Sequence, residues 1–148
     1  MNVEKYQLKS SKDFLSFEFT SIGKNGIIKK IIQFQETNEA NLFNLAFGDK
    51  IDDTFEIDDL AISNNGDTNK ILATVSYAVL AFLEMYPNAF VYATGSTIQR
   101  TRLYRMGISK FYLEIEKHLI IYGQIENEFI IFELEKNYQG FLVQRKNH

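Results

Sequence analysis

The 148-residue chain has no cysteine and no tryptophan, one proline, two histidines and four arginines. Without cysteine there are no disulfides, no thiol catalysis and no Cys-based zinc centre. Two histidines, one of them the last residue His148, leave little for a His-based metal site or a Ser-His-Asp relay. No calcium-loop spacing is present either, so no metal site is expected. The single Pro87 predicts short, regular connections with little linker. Acidic residues outnumber basic ones, 19 to 16, for a net charge of -3. That balance argues against a protein that coats nucleic acid through bulk charge. The residues from Met1 to Tyr6 lack the apolar core of a signal peptide, and no apolar run approaches a membrane span. A cytoplasmic protein without a membrane partner is the expectation. The richness in Lys, Asn and Ile resembles the codon bias of an AT-rich, bacterial genome.

What is abundant is apolar and aromatic. Hydrophobic residues make up 45% and charged residues 24%, and 13 Phe and 8 Tyr promise a core of packed rings. The length suits a single domain, residues 1–148, able to bury its own core. Phe14 to Phe19 nearly alternates, Gly23-Lys24-Asn25-Gly26 supplies a hairpin turn, and Ile27 to Phe34 returns as the partner strand. Leu42–Phe47 and Thr54–Ile62 read as third and fourth strands of an antiparallel meander. From Thr68 the register becomes helical, with Ile71, Val75, Ala78, Phe82 and Met85 at spacings of three and four. Asp67 or Thr68 is the natural cap of this helix, and Pro87 ends it.

Ala89–Thr94 reads as a short strand broken by Gly95. Ser96 or Thr97 then caps a second helix, with Gly107 as its closing residue. Ser109 is the candidate cap of a further short helix carrying Phe111, Tyr112 and Ile115. Leu119–Ile125 and Phe129–Leu134 form a hairpin about Glu126-Asn127, and Phe141–Val143 is a last strand. The expected class is α+β: a mainly antiparallel sheet, one long helix and a second, Arg-bearing helix.

Three of the four arginines, Arg100, Arg102 and Arg105, fall within six positions of that second helix. The helix is entered through Gly95-Ser96-Thr97, so free backbone N–H groups and the positive helix end lie nearby. Ser96, Thr97 and the three arginines are therefore candidate ligands for a phosphate or carboxylate. At about 100° per residue, Ile98, Arg102 and Met106 share a row, which places Arg102 on the apolar stripe and Arg100 and Tyr104 opposite. A buried Arg102 needs a partner: an acid of the same chain or a bound anion. Asp49, Asp52, Asp53, Glu56, Asp58 and Asp59 supply acids, although such a run is ordinarily a solvated edge. Asn64, Asn65 and Gly66, between strand and long helix, offer amides that can cradle an anion or simply cap the helix. His118 is a candidate acid or base but sits where a structural histidine is commoner.

Over residues 54–111 the order of elements resembles the GCN5-related N-acetyltransferases. The segments concerned are strand Phe55–Ser63, turn Asn64–Thr68, helix Thr68–Tyr86, strand Ala89–Thr94, and helix Ile98–Ile108 with Leu103-Tyr104 and Gly107-Ile108. The resemblance implies a general-acid role for Tyr104 near a departing thiolate and a pyrophosphate cradle in the backbone of residues 64–68. It names acetyl-CoA as the cofactor to consider. The family's cradle runs Arg/Gln-x-x-Gly-x-Gly/Ala, whereas this chain has Gly66 alone, followed by Asp67. Acetyl-CoA is therefore expected to bind weakly or not at all, and no cofactor is assigned. The whole chain also resembles a small bacterial domain family bearing Gly-Ser-Thr-x-x-Arg-Thr-Arg-Leu-Tyr, residues 95–104 here. The reading is an anion-binding or protein-interaction module with an acetyltransferase-like core. Its alternatives are an acyl-CoA-dependent N-acyltransferase and a component of a toxin–antitoxin-type pair.

Overall fold

A computed structural model of the chain describes residues 4–51, 57–58 and 65–147. Among the described residues nine strands form one mixed sheet: β1 (Lys9–Ser10), β2 (Ser16–Gly23), β3 (Gly26–Glu36), β4 (Leu42–Lys50), β5 (Ile57–Asp58), β6 (Phe90–Ala93), β7 (Leu119–Ile125), β8 (Glu128–Ile131) and β9 (Gly140–Arg145). Their order is β1-β2-β3-β4-β6-β9-β7-β8, with β5 paired to β4 beside that path. Every ladder among the described residues is antiparallel except β4–β6. Three helices among the described residues accompany the sheet: α1 (Thr68–Met85), α2 (Ile98–Lys110) and α3 (Tyr112–Ile115). None is long and apolar enough to cross a membrane.

The β2–β3 hairpin follows from alternation and turn chemistry together. Phe17, Phe19 and Ser21 point inward while Ser16, Glu18 and Thr20 stay half-buried. Gly23 pairs with Gly26 across the Lys24-Asn25 turn, and Gly26 adopts the left-handed φ of 92° that glycine tolerates. The stripe on α1 (Leu72, Val75, Ala78, Val79, Phe82, Leu83) is buried against the sheet. Phe34 of β3 stacks on Phe82 at 4.1 Å between ring centroids, and Phe43 meets the same ring edge-on at 5.0 Å. Each such ring contributes roughly 1.5–3 kcal/mol of burial. The helix stops at Met85, two residues before Pro87.

Several boundaries differ from expectation for local reasons. Of the strand expected over Thr54–Ile62, only Ile57 and Asp58 lie within the described residues, as β5 on β4. Gly107 does not end α2. It lies inside the helix, and a Cβ there would stand 3.3 Å from Leu72 Cδ2, so its missing side chain lets α2 close on α1. Ser109 accordingly sits within α2, and α3 starts after Phe111 instead. β8 ends at Ile131 because Phe132 turns into the core, only 3% exposed.

The parallel β4–β6 ladder positions the site. It holds only Leu42–Phe90, Phe43–Val91 and Asn44–Tyr92. β4 runs on to Lys50, β6 stops at Ala93, and the two strands part beyond Asn44. The chain leaves β6 at this opening and enters α2 through Thr94–Thr97.

Candidate functional site

A cleft of about 290 Å³ occupies the place where β4 and β6 separate. Phe47 and Asn44 come from β4, Tyr92 from β6, Gly95 and Ser96 from the connection, and Arg100 and Tyr104 from α2. Thr97 caps α2, its side chain accepting from Arg100 N at 3.1 Å. Gly95 N donates to Thr101 Oγ1 at 3.0 Å, which draws the connection onto the first turn of the helix. A Cβ on Gly95 would lie 2.4 Å from Arg100 Cβ, so only glycine permits this approach.

The helix is rotated relative to its sequence-based reading. Ile98 is 71% and Met106 47% exposed, and Arg102 is exposed with them. The inward row is Arg100, Tyr104, Gly107 and Phe111, at spacings of four, three and four. Tyr104, Gly107 and Phe111 are buried, and the Arg100 guanidinium carbon stands 5.4 Å from the centre of the Phe47 ring. The row of large apolar residues is thus the outer one, because α2 makes its closest contact through a glycine. Asp59 and the side chain of Asp58 lie outside the described residues, and Arg102 is not buried. It enters no ion pair among the described residues. The buried cation paired with the acidic stretch is Lys30 of β3, 4% exposed, which binds Asp49.

The three arginines consequently serve two places. Arg100 and Tyr104 line the cleft. Arg102 and Arg105 line a second groove of about 470 Å³, between α2 and the loop at Asn137–Gln139. Ser96 lies on the margin of both, and Thr97 borders the second.

The turn before α1 is engaged within the protein. Asn65 is 3% exposed. Its Nδ2 donates to Ser21 Oγ and Gly26 O, both at 3.0 Å, and its Oδ1 accepts from Asn25 N at 2.6 Å. Its own carbonyl accepts from Lys24 N at 3.3 Å. Asp67 occupies the N-cap position of α1 without a side-chain cap bond, its Oδ2 instead accepting from Tyr6 Oη and Ser21 Oγ at 2.5 Å each. Gly66 is exposed with φ 79°. Asn64 lies outside the described residues, as do Asp52, Asp53, Glu56 and Asp59. His118 is exposed on the segment before β7. Among the described residues no three His, Asp or Glu gather as metal ligands.

Sequence reading singled out Ser96, Arg100 and Tyr104, and gave Tyr92 as core or groove lining, but did not name Asn44 or Phe47 as site residues. One signal was available. A strand, a long helix and a second short strand form a βαβ unit, whose two strands run parallel and are commonly neighbours.

Residues 2–146, nearly the whole chain, match the model of a family described as Family of unknown function (DUF6934). No curated protein and no solved structure matches.

Proposed function

The chain belongs to DUF6934, a family of unknown function, and from its geometry we propose that it is a binding module for a small anion with an apolar body, held in the cleft between β4 and β6. The observation that carries this reading is the meeting of Arg100 and Tyr104 with Phe47 and Tyr92 where the two strands part. A guanidinium is the side chain best suited to a carboxylate. The rings around it suit an apolar or aromatic body, and the amide of Asn44 suits a neighbouring polar group. The bonds from Thr97 and Thr101 fix the start of α2 before any ligand arrives, which lowers the ordering cost of binding.

An acyl-CoA-dependent N-acyltransferase is the second reading. It is favoured by Tyr104 standing in the cleft on a helix that follows strands, turn, long helix and strand in the order of the GCN5-related enzymes. Its general acid would be Tyr104. The commitment of Asn65 to the β2–β3 turn weighs against a pyrophosphate cradle at residues 64–68. No observation on the described residues favours a toxin–antitoxin-type partner.

A thermal-shift screen of the full chain tests the reading, with aliphatic and aromatic monocarboxylates, CoA, acetyl-CoA, nucleotides and inorganic phosphate. A ligand at 100 times its Kd stabilises by about 2.7 kcal/mol, or roughly 5–10 °C for a chain of this size. The expected result is such a shift with a carboxylate, lost in Arg100→Gln, and little or none with acetyl-CoA. Micromolar affinity for acetyl-CoA by calorimetry promotes the enzyme reading. A carboxylate shift undiminished in Arg100→Gln removes the proposed site.

A further inference from the structure

The second groove has a composition of its own. Arg102 and Arg105 both line it, one helical turn apart on α2, and none of the described residues around it is acidic. In a chain with more acids than bases that is informative, and neither arginine enters an ion pair among the described residues. Arg105 keeps a buried Nε–H for which no described residue supplies an acceptor. The opposite wall brings the amide side chains of Asn137 and Gln139.

The walls are fixed. Thr94 Oγ1 donates to Gln139 O at 2.9 Å, tying the start of the α2 connection to the loop across the groove. Gln139 N donates to Gln124 O at 2.9 Å, and Tyr138 Oη accepts from Glu133 N at 3.0 Å, which anchors the loop at both ends. A site held open in this way pays little for ordering when a ligand enters.

We propose that this groove is a binding site, separate from the cleft, for a small-molecule phosphate monoester whose dianionic phosphate sits between Arg102 and Arg105. Two guanidiniums carry twice the charge of one carboxylate, whereas a phosphate dianion matches that charge and presents three terminal oxygens to both forks. The volume is that of a small-molecule site, and the amides of Asn137 and Gln139 suit the hydroxyls of a sugar. The proposal does not depend on what occupies the cleft.

Amide-resolved NMR titration of the full chain with inorganic phosphate and with ribose 5-phosphate tests it. Both probes should perturb residues 97–98, 101–102, 105 and 137–139, with ribose 5-phosphate the tighter. Binding of ribose 5-phosphate should weaken severalfold from pH 7.5 to pH 5, as the monoester dianion is protonated near pH 6. Arg102→Gln and Arg105→Gln should each weaken it at least tenfold, and Arg100→Gln should leave it unchanged. Arg102 is exposed, so its variant keeps the argument testable if Arg105→Gln does not fold. The proposal is overturned if neither phosphate perturbs the groove, if both groove variants bind like the parent, or if the perturbations centre on Arg100 and Tyr104. The last result would transfer the anion to the cleft, whereas loss of carboxylate binding alone leaves this proposal standing.

Discussion

Asn65 and Arg102 show how differently two polar residues of similar promise in the sequence can be used. Asn65 makes three side-chain hydrogen bonds that fasten the segment before α1 to the β2–β3 turn. Its replacement by alanine leaves the Asn25 N–H and the Gly26 carbonyl without their partner, and the cost should be about 1–3 kcal/mol. Arg102 lies in solvent, and Arg102→Ala should cost no more than about 0.5 kcal/mol in the absence of ligand. Chemical denaturation of the two variants beside the parent reads both values. A large loss for Arg102→Ala would restore the buried, acid-paired arginine that the helical pattern alone implied. Sequence reading placed both residues in a ligand site because amides and guanidiniums look alike whether they serve the fold or a ligand. What separates them is the partner, and Asn25, Ser21 and Gly26 lie about forty residues from Asn65 along the chain.

Among the elements, α1 was legible nearly to the residue, whereas α2 was legible in where it starts but not in its end or its orientation. A helix that buries leucines and phenylalanines writes its inward face in their spacing. α2 instead buries Tyr104, Gly107 and Phe111 and leaves Ile98 and Met106 outside, so the same rule points the wrong way. The contact of Gly107 with Leu72 decides the packing. Gly107→Val should therefore destabilise by about 1–3 kcal/mol through overpacking, and it should also weaken carboxylate binding by moving Tyr104 and Arg100. Gly107→Ala needs only a few tenths of an ångström from Leu72 and gains helix propensity of up to about 1 kcal/mol. Denaturation together with carboxylate titration separates these outcomes. If Gly107→Val matches the parent in both stability and binding, the α1–α2 contact does not set the orientation of α2.

For the whole molecule, the class and most of the strand order follow from alternation, turns and one long apolar stripe. The hairpin at Lys24-Asn25, the β7–β8 hairpin and the strand after Gln139 are all local signals. The parallel pairing of β4 with β6 is not local: it joins Leu42–Asn44 to Phe90–Tyr92 across the whole of α1. That pairing is short, and its early end makes the cleft, so the feature least visible in the sequence is the one on which the function rests. The most direct measurement is an amide-resolved NMR titration of the parent chain and Arg100→Gln with the carboxylate that stabilises the parent most. Perturbations should concentrate on residues 44–47, 92–96 and 100–104, with affinity at least tenfold weaker in Arg100→Gln. Perturbations that leave these residues unmoved, or equal affinity in the two proteins, would contradict a ligand site where β4 and β6 part.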